Sequence, residues 1–395
     1  MSWAWPWRRK PGGELVVLDD FFPNLLTGFR VAEYNAYLGA FANLRVLSAL
    51  SRFATEHARY AARYPQFASR VEHFSGRGDL RRAKLAYINF LNNAAHFLPH
   101  MQRRGLPFAL TLYPGGGLGL HEAPSDSKLL QVLSSPLLRS LTVTQPVTER
   151  YVIDFAAKHG LRLPPMRLVA GVVVNPMYFS PALQPHGPYF GEGKATFDVC
   201  FVAEKYMARG ENKGYPEFIA MAHALRDEPA LRFHVVGSFT ADDVDVAALG
   251  QRVSFSGRIE TTDLPAFFDG MDLVVSPNKP FLLHPGNFDG FPTGACVEAA
   301  LCGVAVMASD ALEQNPGYRS GESMLIVPPE ADALVEAVRG LLREPGRVAS
   351  IARAGQVLTR RWYAPEVQIA RRREVLEATA QEIGLALQPM GPTHA

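Results

Sequence analysis

Two hydrophobic patterns alternate along this chain. Short runs rich in Val, Ile, Leu and Phe are followed by longer stretches in which apolar residues recur every three or four positions. Runs of the first kind read as strands buried on both faces, and stretches of the second kind as helices laid against them. In the first half the pattern predicts strands over 14–19, 84–88, 108–112, 140–144 and 167–174, with helices over 28–50, 92–104 and 147–159. From Asn175-Pro176 to Gly193 the chain turns to Pro, Gly and aromatic residues, which marks a connection. The second half predicts strands over 197–202, 231–236, 252–255, 272–276, 304–308 and 324–327, and then a charged helix over 361–383. Strand and helix alternating in this way imply an α/β fold with a doubly wound parallel sheet in each half. The expected division is 1–177, a linker over 178–196, a second domain over 197–360 and a terminal helical segment over 361–395.

Composition narrows the class without changing it. A chain of 395 residues suits two or three domains at roughly 150 residues each. A formal net charge of +2 gives no general reason to expect nucleic acid. The three cysteines Cys200, Cys296 and Cys302 are odd in number and apolar in context, which fits reduced thiols in a cytoplasmic protein. No apolar run reaches the length of a membrane span, and no signal-peptide pattern is present. Trp3, Trp5 and Trp7 are three of the four tryptophans and precede Arg8, Arg9 and Lys10. That segment reads either as a peripheral membrane anchor or as a tail, disordered or with its indoles packed on the body.

The chemistry concentrates in residues 288–310, FDGFPTGACVEAALCGVAVMASD. Pro292 and Thr293 suit the start of a helix, whose unsatisfied N–H groups and positive dipole end attract phosphate. Gly290 and Gly294 let the main chain approach a ligand, with Phe291 between them. Glu298 follows a little over one turn later, so its carboxylate can take hydrogen bonds from ligand hydroxyls while the helix start holds an anion.

This stretch resembles the donor-binding signature of the retaining GT-B glycosyltransferases of family 4 (group 1), which carry an acid, Gly-Phe-Gly or Gly-Phe-Pro, and a second acid. The resemblance implies two Rossmann-like domains facing a central cleft, an N-terminal acceptor side and a C-terminal nucleotide-sugar side, with the terminal helix crossing back. It implies transfer of a hexosyl group from a UDP- or GDP-sugar to a glycan or lipid-linked glycan acceptor, with no divalent metal. It assigns the donor sugar hydroxyls to Asp289 and the ribose to Glu298, although the interval between the acids is one residue longer here and the first acid is Asp rather than Glu. Lys213, in Asn212-Lys213-Gly214, matches the diphosphate-binding lysine, and Lys205 or Arg209 its basic companion. A cation is required there because the departing diphosphate gains negative charge. Arg258-Ile259 matches the loop that receives the base, and Gly28 the glycine loop bordering the cleft. Tyr113 stands where the family often has His, and the following Gly115–Gly117 run could present N–H groups to the ligand.

Other groupings have plainer readings. His96 and His100 lie one helical turn apart without a third ligand, and His121-Glu122 lacks the second His of a zinc-hydrolase helix. Asp269 and Asp272 read as a helix end and a strand start. Two further functions fit the same residues: a catalytically weak nucleotide-sugar-binding scaffold, supported by the missing His and altered acid spacing, and a GT-B nucleotide-sugar epimerase. The family habit points to bacterial surface polysaccharide synthesis.

Overall fold

A computed structural model describes residues 13–390, and the reading of Trp3, Trp5 and Trp7 falls outside them. The first sheet contains β1 (Glu14–Asp19), β2 (Leu44–Ser48), β3 (Val71–His73), β4 (Ala83–Asn89), β5 (Phe108–Leu112), β6 (Leu138–Val143) and β7 (Met166–Leu168). Its strands are all parallel, in the order β3-β2-β1-β4-β5-β6-β7. Side chains alternate between its two faces: Val16 and Leu18 join one apolar layer, Leu15 and Val17 the other. Helices cover both layers, so β1 and β5 are buried throughout. That double burial is why they appear in the sequence as unbroken apolar runs.

The second sheet contains β8 (Phe197–Val202), β9 (Leu231–Val236), β10 (Val253–Gly257), β11 (Leu273–Ser276), β12 (Ala305–Ala308) and β13 (Leu325–Ile326). It too is parallel, in the order β10-β9-β8-β11-β12-β13. Strand order reverses between β1 and β4 in one sheet and between β8 and β11 in the other. At such points the crossovers leave to opposite sides and open a crevice at the carboxyl ends of the strands.

Three sequence expectations need correction. The helix expected over 28–50 stops at Ala40, because Phe41 turns extended and the next apolar run pairs with β1 as β2. Tertiary pairing here outweighs helical periodicity. The strand expected over 167–174 shrinks to Met166–Leu168, after which the chain leaves the sheet through Gly171 at φ 93°. The helix expected over 361–383 is split between Gly346–Tyr363 and Pro365–Glu382. The proline disfavours helical backbone at Ala364, whose ψ is 140°.

The helix Pro365–Glu382 lies on the first sheet. Leu376 and Ala380 share a layer with Leu15 and Val17, and Thr379 Oγ1 sits 2.7 Å from Ser140 Oγ. Just beyond it, the Asn43 side chain donates to the carbonyls of both Gly13 and Ala386, each at 3.0 Å. Chain from both extremes of the described residues therefore belongs to the first half.

Candidate active site

β11 delivers the chain to a crossing segment, which then enters the helix Gly294–Leu301. Thr293 stands at its N-cap in extended backbone and makes no side-chain cap, so the first-turn N–H groups lack a side-chain acceptor. Phe291 is buried in the same apolar cluster as Cys296 and Val297, which fixes the loop from below. Gly290 packs its main chain against the first half: a Cβ there would lie 2.6 Å from Gln145 Nε2. Leu120 N–H also donates across to Gly286 O at 2.8 Å. The loop that carries Asp289 is thus held by backbone from both halves.

Glu298 projects from this helix, half-buried, with Tyr178 and Cys302 as its electrostatic neighbours. Its carboxylate has no hydrogen-bond partner among the described residues. Burial pushes its pKa from 4.5 up to about 8. An unpaired carboxyl in a half-closed site is available to a ligand in either protonation state. The three thiols are inert by comparison, since burial raises all of them, Cys302 to about 12.

Asp289 has the opposite environment. Its Oδ1 accepts from Lys213 Nζ at 2.7 Å and its Oδ2 from Asn278 Nδ2 at 2.9 Å. Lys213 closes a short 3-10 turn (Glu211–Lys213), and Gly214 follows at φ 72° with its Cα against Pro277. A Cβ at Gly214 would meet Pro277 O at 2.1 Å, so glycine allows the lysine loop to touch the loop bearing Asn278. The Lys279 N–H bond to Asn212 O, at 3.0 Å, ties the two loops again. Lys213 therefore meets, from 76 positions away, the Asp289 of a crossing segment that also supplies Asn278.

The remaining candidates divide. Lys205 Nζ contacts both oxygens of Asp243 at 2.9 Å, while the Arg209 side chain is exposed and only its backbone N–H bonds Glu211. Arg258 pairs with Glu204 at the end of β8, through Nε at 3.1 Å and a second bond from Nη2. Ile259 packs on the apolar cluster that holds Phe291 and Val297. Gly28 meets the second half, since a Cβ there would lie 2.4 Å from Thr261 Oγ1.

Tyr113 follows β5 at the crevice end of the first sheet but is almost fully buried, and its hydroxyl donates to Glu33 Oε2 at 2.8 Å. A sugar hydroxyl reaching Tyr113 would have to donate to its oxygen. Glu33 itself is completely buried and also accepts from Tyr37 (3.0 Å), Asn89 (3.1 Å) and Tyr87. The buried Arg372 approaches it to 4.0 Å from the helix Pro365–Glu382 and donates to Gly171 O at 2.9 Å.

Sequence reasoning did not single out Asn278, Gln145, Asp243 or Glu33. Only Asn278 carried a local signal, as the polar residue after Pro277 at the end of a buried strand. Asp269 and Asp272 are neither a metal pair nor idle: they accept the Gly187 and Phe190 N–H groups and fasten the linker to the second sheet. Among the described residues no group of three His, Cys, Asp or Glu gathers as a metal site would.

Residues 197–344 match the model of a family described as Glycosyl transferases group 1. No curated protein sequence matches the chain. Among solved structures, Anabaena HepE in complex with UDP is similar at TM-score 0.69 and 15% identity, covering 92% of this chain and 100% of its own. A glycosyltransferase from Rickettsia africae gives 0.68 at 10% identity, covering 93% and 99%. Sucrose-phosphate synthase from Thermosynechococcus elongatus gives 0.64 at 14% identity, covering 93% and 100%. Residues 197–344 are thus a group 1 glycosyl transferase domain, and the chain as a whole has the two-sheet GT-B fold of these structures.

Proposed function

We propose that the protein transfers a sugar with retention from a nucleoside diphosphate donor to a glycan acceptor, a lipid-linked one in bacterial surface polysaccharide synthesis. The observation that carries the donor reading is the unpartnered Glu298 on a helix whose uncapped start adjoins Gly290, Asp289 and Lys213. In this reading Glu298 holds the ribose, the Gly294 helix start and Lys213 hold the diphosphate, Asp289 the sugar, and the Arg258-Ile259 loop the base. The HepE structures with UDP and with UDP-glucose support a uridine donor by analogy of fold. The reaction is a front-face substitution: the bond from sugar C1 to the diphosphate oxygen breaks, and the acceptor oxygen bonds C1 on the same face. The acceptor proton passes to the leaving phosphate. Lys213 offsets charge as it develops, where it matters most.

A nucleotide-sugar panel tests the reading, with slow hydrolysis and transfer as readouts. Lys213→Ala and Glu298→Ala should each remove a charge-assisted contact of roughly 1.5 to 3 kcal/mol. Wild-type turnover by both variants at saturating donor would sink the assignment. A scaffold role is favoured by one observation, the pairing of both Lys205 and Lys213 with acids. Nucleotide-sugar binding without hydrolysis or transfer to any glycan would select it.

A further inference from the structure

The Lys213–Asp289 pair joins two groups that a donor would need separately. Lys213 is close to fully enclosed, with 10% of its side chain exposed against 30% for Asp289, so the ammonium faces the carboxylate rather than solvent. A diphosphate arriving at the helix start competes with Asp289 for that ammonium. Asn278 bonds the other carboxylate oxygen, Oδ2, and Gln314 Nε2 bonds the Asp289 carbonyl at 3.0 Å. Those two contacts do not involve Lys213. They keep Asp289 in place when the lysine leaves, with Oδ1 newly open.

We propose that donor binding works by partner exchange: the diphosphate takes Lys213 from Asp289, and the freed carboxylate, steadied by Asn278, then accepts a hydroxyl of the sugar. Asn278 is a positioning residue in this scheme. The proposal rests on the nucleotide-sugar reading above and adds an order to it. Asp289 opposes a nucleoside diphosphate that lacks a sugar, because such a ligand breaks the ion pair without offering the carboxylate a replacement. It favours a nucleotide sugar, which supplies one. Discrimination between donor and spent product is thereby built into a single carboxylate.

Calorimetric binding of UDP and UDP-glucose, with GDP and GDP-mannose in parallel, tests the exchange on the full chain. Asp289→Asn keeps the side-chain shape and removes the competing charge. It should tighten the nucleoside diphosphate about five- to tenfold and weaken the nucleotide sugar, two effects of opposite sign. Asn278→Ala leaves the ion pair intact and should leave diphosphate affinity near wild type while losing affinity for the nucleotide sugar. A purely structural role for Asp289 weakens both ligands together, and that result overturns the proposal. If wild type binds the diphosphate, Lys213→Ala abolishes binding and Asp289→Asn leaves it unchanged, the exchange alone falls. If wild type binds none of the four ligands, the nucleotide-sugar reading falls and the exchange with it.

Discussion

Two glutamates, one in each half, are shielded from bulk water to different degrees and in opposite company. Glu33 is completely buried and meets three phenol hydroxyls, an amide and, at 4.0 Å, a guanidinium. Glu298 is half-buried and meets no donor at all among the described residues. A carboxylate removed from water is tolerated when donors replace the lost hydration, and costs stability when none do. Glu33 is therefore a structural charge that joins β4, β5 and the helix Pro365–Glu382. Glu298 is an acid that the empty fold leaves without a donor and keeps protonated by burial, which is the expected condition of a group waiting for a ligand.

The sharpest way to break this contrast is to remove both acids. Glu33→Ala leaves a buried guanidinium and several polar side chains without their acceptor, so unfolding in urea should show a loss of about 3 to 5 kcal/mol. A loss below about 1 kcal/mol would place Glu33 among the weak ion pairs and end the comparison. Glu298→Gln should do the reverse. Donor affinity falls roughly ten- to a hundredfold, while the empty protein at pH 9 gains stability of about 1 to 3 kcal/mol. A variant less stable than wild type at that pH would mean Glu298 has a partner in the fold.

The same glutamate sets a pH dependence whose sign follows from its raised pKa. The folded state favours the protonated acid. The stabilising contribution is complete below the ordinary value of 4.5 and is lost as pH rises through about 8. Wild type should lose stability relative to Glu298→Gln across that window, and the two denaturation midpoints should converge near pH 4. Parallel curves would refute the assignment of the shift to this residue. The smallest effect belongs to Tyr113→Phe. It deletes one of several donors to Glu33 and should cost about 0.5 to 1.5 kcal/mol, read as a shifted urea midpoint with unchanged slope. A fall in turnover larger than this loss would put the Tyr113 oxygen on the sugar.

How much of this was legible beforehand depended on whether a feature was local. β1, β5, β8 and β12 were readable because full burial writes a continuous apolar run. β2 was lost inside a longer expected helix, since five residues of strand are too few to announce themselves beside a helical pattern. The Asp289–Glu298 stretch was readable because its parts are neighbours in sequence. Its pairing to Lys213 spans 76 positions and the Glu33–Tyr113 bond spans 80, distances over which a single sequence carries no pairing signal. Candidate residues could be named, but not whether each was free or already engaged.

The bidentate grip of Asn43 on Gly13 and Ala386 has a topological corollary. With these two carbonyls bound to one amide nitrogen, the described backbone is nearly a closed ring, and the second sheet with its helices is a long excursion from it. A bridge of a few residues from 386 to 13, with the ring opened at an exposed turn of the second half, should yield a circular permutant that folds. Shortening the chain before residue 376 should instead damage the half that is made first.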